Sequence, residues 1–268
     1  MGTTPRNAAV LATLCGLLLL AQAVAARPRE TGFLNRALQH NGVMYRYQVY
    51  VPADFYRRKG KWPVVLFLHG AGERGTDGLQ QTQVGLPASI RKHLERWPAV
   101  VVVPQCPAEQ YWTMPAMYQM ALATLDKTVR EFRGDAQRLY LTGLSMGGYG
   151  AWKIAATYPG KFAAVVPICG GAVLPAVLKA NDAPNPALYG QLAQAIGRTA
   201  PVWAFHGALD PVVPVTETRQ LVAALQAAGG TVQYTEYPEA GHDSWTAAYD
   251  DPALPQWLFQ QQLPRARK

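Results

Sequence analysis

The sequence predicts an α/β protein: a mostly parallel central sheet with helices on both faces and no large cap domain. Three observations predict it. Residues 64–68 (VVLFL), 100–103 (VVVV), 139–142 (LYLT), 163–168 (AAVVPI) and 202–205 (VWAF) are short, apolar and rich in β-branched side chains. Strands covered on both faces have this composition. Helix-period segments fall between them, and strands alternating with helices give a three-layer sandwich with right-handed crossovers. No repeat, low-complexity tract or linker divides the 268 residues, so residues 27–268 read as one domain large enough to hold its own core.

Taken in order, residues 1–26 read as a signal peptide. Arg6 precedes an apolar core within 8–26 (AAVLATLCGLLLLAQAVAA), which ends in small residues before Arg27. The uninterrupted apolar stretch is short for a membrane span, so the mature form is expected to carry no stable membrane anchor and to be secreted or periplasmic. Residues 44–51 (MYRYQVYV) alternate and contain an arginine, which suits an edge strand paired antiparallel with the segment before it. Residues 117–130, 146–158 and 216–228 have helical spacing, the second stopped by Pro159-Gly160 and the third by Gly229-Gly230. Residues 181–190 (NDAPNPALYG) read as an irregular loop near the active face, and 231–237 (TVQYTEY) as the last strand.

The formal net charge is +8, but the basic residues are scattered, apart from Arg57-Arg58-Lys59 and the terminal RARK. No basic helix interleaved with aromatics is present, so nucleic acid is not an expected partner.

Residues 143–147 (GLSMG) lie where the 139–142 strand meets the 146–158 helix. The pattern Gly-x-Ser-x-Gly at a strand-to-helix turn is a nucleophile elbow. Its serine is forced into a strained backbone, and bulky residues two before or two after would collide with it, so both are glycine. The hydroxyl of Ser145 then projects at the carboxyl edge of the sheet, where α/β proteins bind ligands.

A serine hydroxyl needs a base, and the base needs an orienting acid. Five histidines are present: His40, His69, His93, His206 and His242. His242 sits in a glycine-flanked loop after the last strand and is the expected general base. His69 and His206 each end a strand and precede glycine, which suits a shaping or hydrogen-bonding role, and His40 and His93 read as surface residues. Asp210 follows the 202–205 strand on a loop fixed by Pro211 and is the expected acid, ahead of Asp182, Glu217, Glu239 and Asp243. The chain order Ser145, Asp210, His242 is that of α/β-hydrolases. Backbone N–H groups of Met146, directly after the nucleophile, and Ala71, in the loop after the 64–68 strand, are the expected oxyanion donors.

These motifs (LHGAGERGTDG, PQCP, GLSMGGYGAW, PICGG, HGALDPVVP and GHDSW) resemble the secreted serine esterase branch of the α/β-hydrolase superfamily. That branch includes phospholipase/carboxylesterase, dienelactone-hydrolase-like and feruloyl-esterase-like proteins, often labelled predicted peptidases. The resemblance covers roughly residues 45–263. True dienelactone hydrolases have cysteine where Ser145 stands, which argues for ordinary ester hydrolysis. The resemblance implies a small-molecule or polymer-linked ester substrate, an acyl-enzyme intermediate, and no metal or organic cofactor. It places Trp112 on the substrate cleft. It also implies a sheet order in which two strands separate those leading to Cys106 and Cys169, roughly 14 Å apart at about 4.8 Å per step, too far for a disulfide. A serine peptidase of the same fold and a non-catalytic binding protein on a hydrolase scaffold are the alternatives.

Overall fold

In the computed structural model, residues 29–173 and 187–264 are described. The expected signal, 1–26, lies outside them, as do residues 181–186 of the expected loop. The strands are β1 (Gly32–His40), β2 (Val43–Val51), β3 (Trp62–Leu68), β4 (Val100–Pro104), β5 (Gly134–Leu144), β6 (Ala164–Ile168), β7 (Val202–Gly207) and β8 (Val232–Tyr237). They form one sheet in the order β1-β2-β4-β3-β5-β6-β7-β8. β1, β2 and β4 pair antiparallel, and every pairing from β4 through β3 to β8 is parallel. This is the expected three-layer α/β architecture.

The helices among the described residues are α1 (Leu86–Lys92), α2 (Pro115–Glu131), α3 (Met146–Thr157), α4 (Ala187–Ile196), α5 (Thr216–Ala227), α6 (Trp245–Asp250) and α7 (Ala253–Gln260). They cover two faces of the sheet. Along β3, Val64, Leu66 and Leu68 enter one core with Leu125 of α2, Trp152 of α3, Leu192 of α4 and Leu225 of α5. Val65 and Phe67 enter the other with Ile90 of α1, Tyr249 of α6 and Leu258 of α7. The period-two alternation of a strand feeds both cores, so an unbroken apolar run is what β3 requires. Each such side chain, wholly removed from water, contributes about 1.5–3 kcal/mol.

Three expectations are corrected. β2 is not the edge strand: β1 lies outside it, and residues Tyr47–Val51 are all buried. Gln48 is tolerated there because its amide donates to Asn35 Oδ1 and to the Gly78 carbonyl oxygen. The 181–190 stretch is not wholly loop, since α4 starts at Ala187. Four short helices, α1, α4, α6 and α7, were not expected; Pro87 and Pro255 sit in the first turns of α1 and α7, where proline fits rather than breaks a helix. β3 and β5 separate β4 from β6, and Cys106 and Cys169 beyond those strands are both free and buried. No helix among the described residues is long and apolar enough to cross a membrane.

Candidate active site

Ser145 joins β5 to α3 with φ 52° and ψ −117°, a conformation costly for any residue with a side chain. The neighbours explain how it is held. A Cβ on Gly143 would lie 2.3 Å from the Gly147 carbonyl oxygen, and one on Gly147 would lie 2.0 Å from that of Leu68. Only glycine lets the elbow close this tightly. The Ser145 N–H donates to the Ile168 carbonyl oxygen at 2.9 Å, tying the turn to the end of β6. Ser145 is largely buried, with 8% of it exposed.

Three loops at the carboxyl ends of the strands converge here. His242, on the loop after β8, lies with Nε2 3.0 Å from Ser145 Oγ and Nδ1 2.7 Å from Asp210 Oδ2. A carboxylate only accepts, so Nδ1 carries the proton and Nε2 presents its lone pair to the serine hydroxyl. Trp245 stands edge-on to the His242 ring, with centroids 5.3 Å apart. Asp210 Oδ1 accepts the Val212 and Val213 amides at 2.8 and 2.9 Å. Burial works against its charge, but hydrogen bonds from His206, His242 and these two amides outweigh it and hold the carboxyl well below the usual range.

The other acids are turned elsewhere. Asp243 accepts from the Thr246 amide and hydroxyl. Glu217 accepts the Ala172 and Val173 amides and the Tyr189 hydroxyl. Asp182 lies outside the described residues.

Two backbone segments flank the serine oxygen. Met146 opens α3, so its N–H belongs to the first turn and has no acceptor within the helix. After β3 the chain makes a single 3₁₀ turn, Ala71–Glu73. A Cβ on Gly70 would lie 3.8 Å from Ser145 Cβ, so the chain leading into Ala71 runs beside Ser145.

Trp112 is not on the cleft: it is fully buried. Its indole N–H donates to the His69 carbonyl oxygen at 3.0 Å, and its ring packs edge-on to that of His69. His69 is itself pinned, Nδ1–H donating to the Gly70 carbonyl oxygen and Nε2 accepting the Cys106 amide. Burial pushes His69 down to about 4, against the opposing effect of the Gly70 hydrogen bond. Trp112 and His69 are therefore a second layer supporting the 70–71 backbone.

The sequence reading missed the contact between His206 and Asp210, with Nε2 3.2 Å from Oδ2. It also missed Gln105, which is buried and binds the Glu73 carbonyl, Asp77 and the Gly78 amide, bracing the same loop. The polar residue in PQCP, directly after an apolar strand, was the available signal. Cys169 Sγ, an Asp210 oxygen and a His242 nitrogen lie within 4.8 Å of one another. A soft divalent ion fits that donor set, but it would have to break the Asp210–His242 bond and displace the proton of a thiol whose pKa burial raises.

A nucleophile elbow on an eight-stranded, mostly parallel sheet defines the α/β-hydrolase fold. The profile of the prolyl oligopeptidase family matches residues 118–258, and the chain belongs to that family. It is 28% identical over 221 residues to a poly(3-hydroxyoctanoate) depolymerase of Pseudomonas fluorescens, covering 70% of each chain. Among solved structures it is similar to a thermostable esterase (33% identity, TM-score 0.69), over 86% of this chain and 63% of that one. The chain thus spans less than two thirds of that esterase. A ferulic acid esterase shares the fold at 19% identity and TM-score 0.66, over 85% of this chain and 97% of the other. Fold and relatives are those of α/β-hydrolase esterases.

Proposed function

We propose that the chain hydrolyses carboxylic esters through an acyl-enzyme, with Ser145 as nucleophile, His242 as general base and Asp210 as its orienting acid. The observation that carries this reading is the hydrogen-bonded line from Ser145 Oγ through His242 to Asp210, at 3.0 and 2.7 Å, starting from a strained elbow. His242 Nε2 takes the hydroxyl proton as Oγ attacks the ester carbonyl carbon. The Met146 and Ala71 amides receive the oxyanion, each such donor being worth about 3–4 kcal/mol in the transition state. The imidazolium returns its proton to the leaving alcohol. Water, deprotonated by His242, then attacks the acyl carbon, and the acid leaves as Ser145 regains its proton. Ser145→Ala should abolish hydrolysis of p-nitrophenyl acetate by the purified protein; retention of more than a few per cent sinks the assignment.

The acyl or alcohol side is proposed to be apolar. The named substrate of the Pseudomonas fluorescens relative is a polyester with long apolar side chains, and Leu209 and Val212, on either side of Asp210, are 65% and 43% exposed. Polyester oligomers therefore stand beside short alkyl or aryl esters and feruloyl or acetyl groups on polysaccharides. A panel of p-nitrophenyl esters with methyl ferulate, acetylated xylan and 3-hydroxyoctanoate oligomers ranks them.

Membership of a family described as peptidases favours a second reading, peptide hydrolysis at the same site. Cleavage of a peptide anilide with no action on p-nitrophenyl acetate would establish it. A binding protein without catalysis would be excluded by fluorophosphonate labelling that disappears in Ser145→Ala. Residues 1–26 are proposed as a secretion signal, for which a mature amino terminus near Arg27 outside the cytoplasm is the test.

A further inference from the structure

His206 ends β7 and is fully buried, four residues before Asp210. Its Nε2 lies 3.0 Å from the Val213 carbonyl oxygen and 3.2 Å from Asp210 Oδ2. Both are acceptors, so Nε2 carries a proton whatever the charge of the ring. On the far side Nδ1 lies 2.7 Å from Thr218 Oγ1, which also sits 3.0 Å from the Gly170 carbonyl oxygen. The ring is thus clamped between α5 and the Asp210 loop. Asp210 Oδ2 accepts from His242 Nδ1 and lies 3.2 Å from His206 Nε2, whose nearer acceptor is the Val213 carbonyl oxygen, and Oδ1 takes two amides.

We propose that His206 is a positioning residue for Asp210: its Nε2–H fixes the carboxylate toward His242 and draws off part of the charge that Asp210 offers to the His242 imidazolium. This rests on the serine-hydrolase reading above and adds a residue to it. A carboxylate sharing its charge between two donors stabilises each cation less than one serving a single donor. With His206 gone, Asp210 pivots more freely and its remaining charge falls on His242. Activity drops, and the balance of charge between Asp210 and His242 changes.

The other titratable groups around the pair come from each neighbouring element. Glu236 pairs with His206 across β7 and β8 and is bound by Arg219 and Tyr234. Cys169 lies against Asp210 and His242 at the end of β6. Glu217 on α5 holds the 172–173 backbone, and Asp243 caps the turn to Thr246. All are left in place by substitution at 206.

The test compares His206→Leu and His206→Gln in the full chain, reading kcat, KM and the acid limb of kcat/KM on a p-nitrophenyl ester. The glutamine amide reaches where Nε2 stands and restores the donor. His206→Leu should lower kcat roughly tenfold or more, leave KM nearly unchanged and move the acid limb of the pH profile upward. His206→Gln should keep the parent limb and most of the kcat. A folded His206→Leu with an unmoved limb overturns the proposal, as does a His206→Gln that behaves like it. Ring-¹⁵N spectra of the unsubstituted protein test it without any variant: His206 must hold a proton on Nε2 throughout the pH range of activity, and a ring protonated on Nδ1 alone overturns it. If Ser145→Ala stays active, the esterase mechanism fails while the tautomer result stands. If Ser145→Ala is dead and the limb does not move, only the role of His206 fails.

Discussion

Gly147 and Leu68 are in backbone contact so close that a Cβ on the first would lie 2.0 Å from the carbonyl oxygen of the second. The contact joins the first turn of α3 to the end of β3, and so sets Ser145 against the loop that follows β3. Neither partner is a flexible side chain, so the clash cannot be relieved by a rotamer change. Gly147→Ala should destabilise the fold by about 3 kcal/mol and remove nearly all ester hydrolysis. Gly190 in α4 is the control, since a Cβ added there would meet nothing within 4 Å. Gly190→Ala should stabilise by about 0.5–1 kcal/mol with activity intact. Urea melts of both variants decide, and a Gly147→Ala protein as stable as its parent would contradict the close-contact account.

Much of this arrangement was legible because the chemistry demands rare local features. The elbow pentapeptide, Asp210 and His242 all stand at strand ends, and apolar runs such as 64–68 mark strands covered on both faces. What was not legible depends on contacts distant in sequence. Trp112 looks like a cleft aromatic until His69 is seen to hold it from behind. The edge position of β1 depends on an Asn41-Gly42 turn with φ 49° and 81°, a two-residue hairpin signal present in the sequence. β1 itself has its side chains only part-buried or exposed, so no apolar run announced it. The short helices α6 and α7 owe their stability to packing on the sheet rather than to their own periodicity.

Buried His69 makes stability depend on pH. Its folded value is about 4 against an ordinary 6.5. Its contribution is fully present above pH 6.5 and is lost as pH falls from there toward 4, because the unfolded chain takes up the proton first. The loss amounts to ~3 kcal/mol at most. Unfolding free energies measured between pH 7 and 4 should fall more steeply in the parent than in His69→Gln, which has nothing to titrate at that position. Equal slopes would show that His69 does not carry the effect.

Trp112→Phe removes the N–H that holds the His69 carbonyl while keeping most of the ring volume. A lost buried hydrogen bond and a small void together should cost about 1–3 kcal/mol. The 70–71 backbone follows His69, so the expected kinetic effect is a lower kcat with KM close to the parent value. A rise in KM alone would instead indicate that Trp112 contacts substrate, restoring the cleft role that its burial argues against.

Glu217 fastens the backbone beyond β6 beside the site. Oε2 accepts the Ala172 and Val173 amides at 2.9 and 3.2 Å, and Oε1 accepts the Tyr189 hydroxyl at 2.6 Å. A glutamine keeps this pattern if its carbonyl oxygen faces the two amides and its NH₂ faces the tyrosine oxygen, which accepts as readily as it donates. An alanine leaves two amides and a hydroxyl without their acceptor, at a cost of about 1–3 kcal/mol. Glu217→Gln should therefore stay within about 1 kcal/mol of the parent. Glu217→Ala should lose stability and raise KM for bulky esters more than for p-nitrophenyl acetate, because the backbone at 172–173, shortly after β6, is no longer fixed. Stability curves and the ratio of the two KM values separate the outcomes: if glutamine is as damaging as alanine, the charge of Glu217 matters rather than its acceptor geometry.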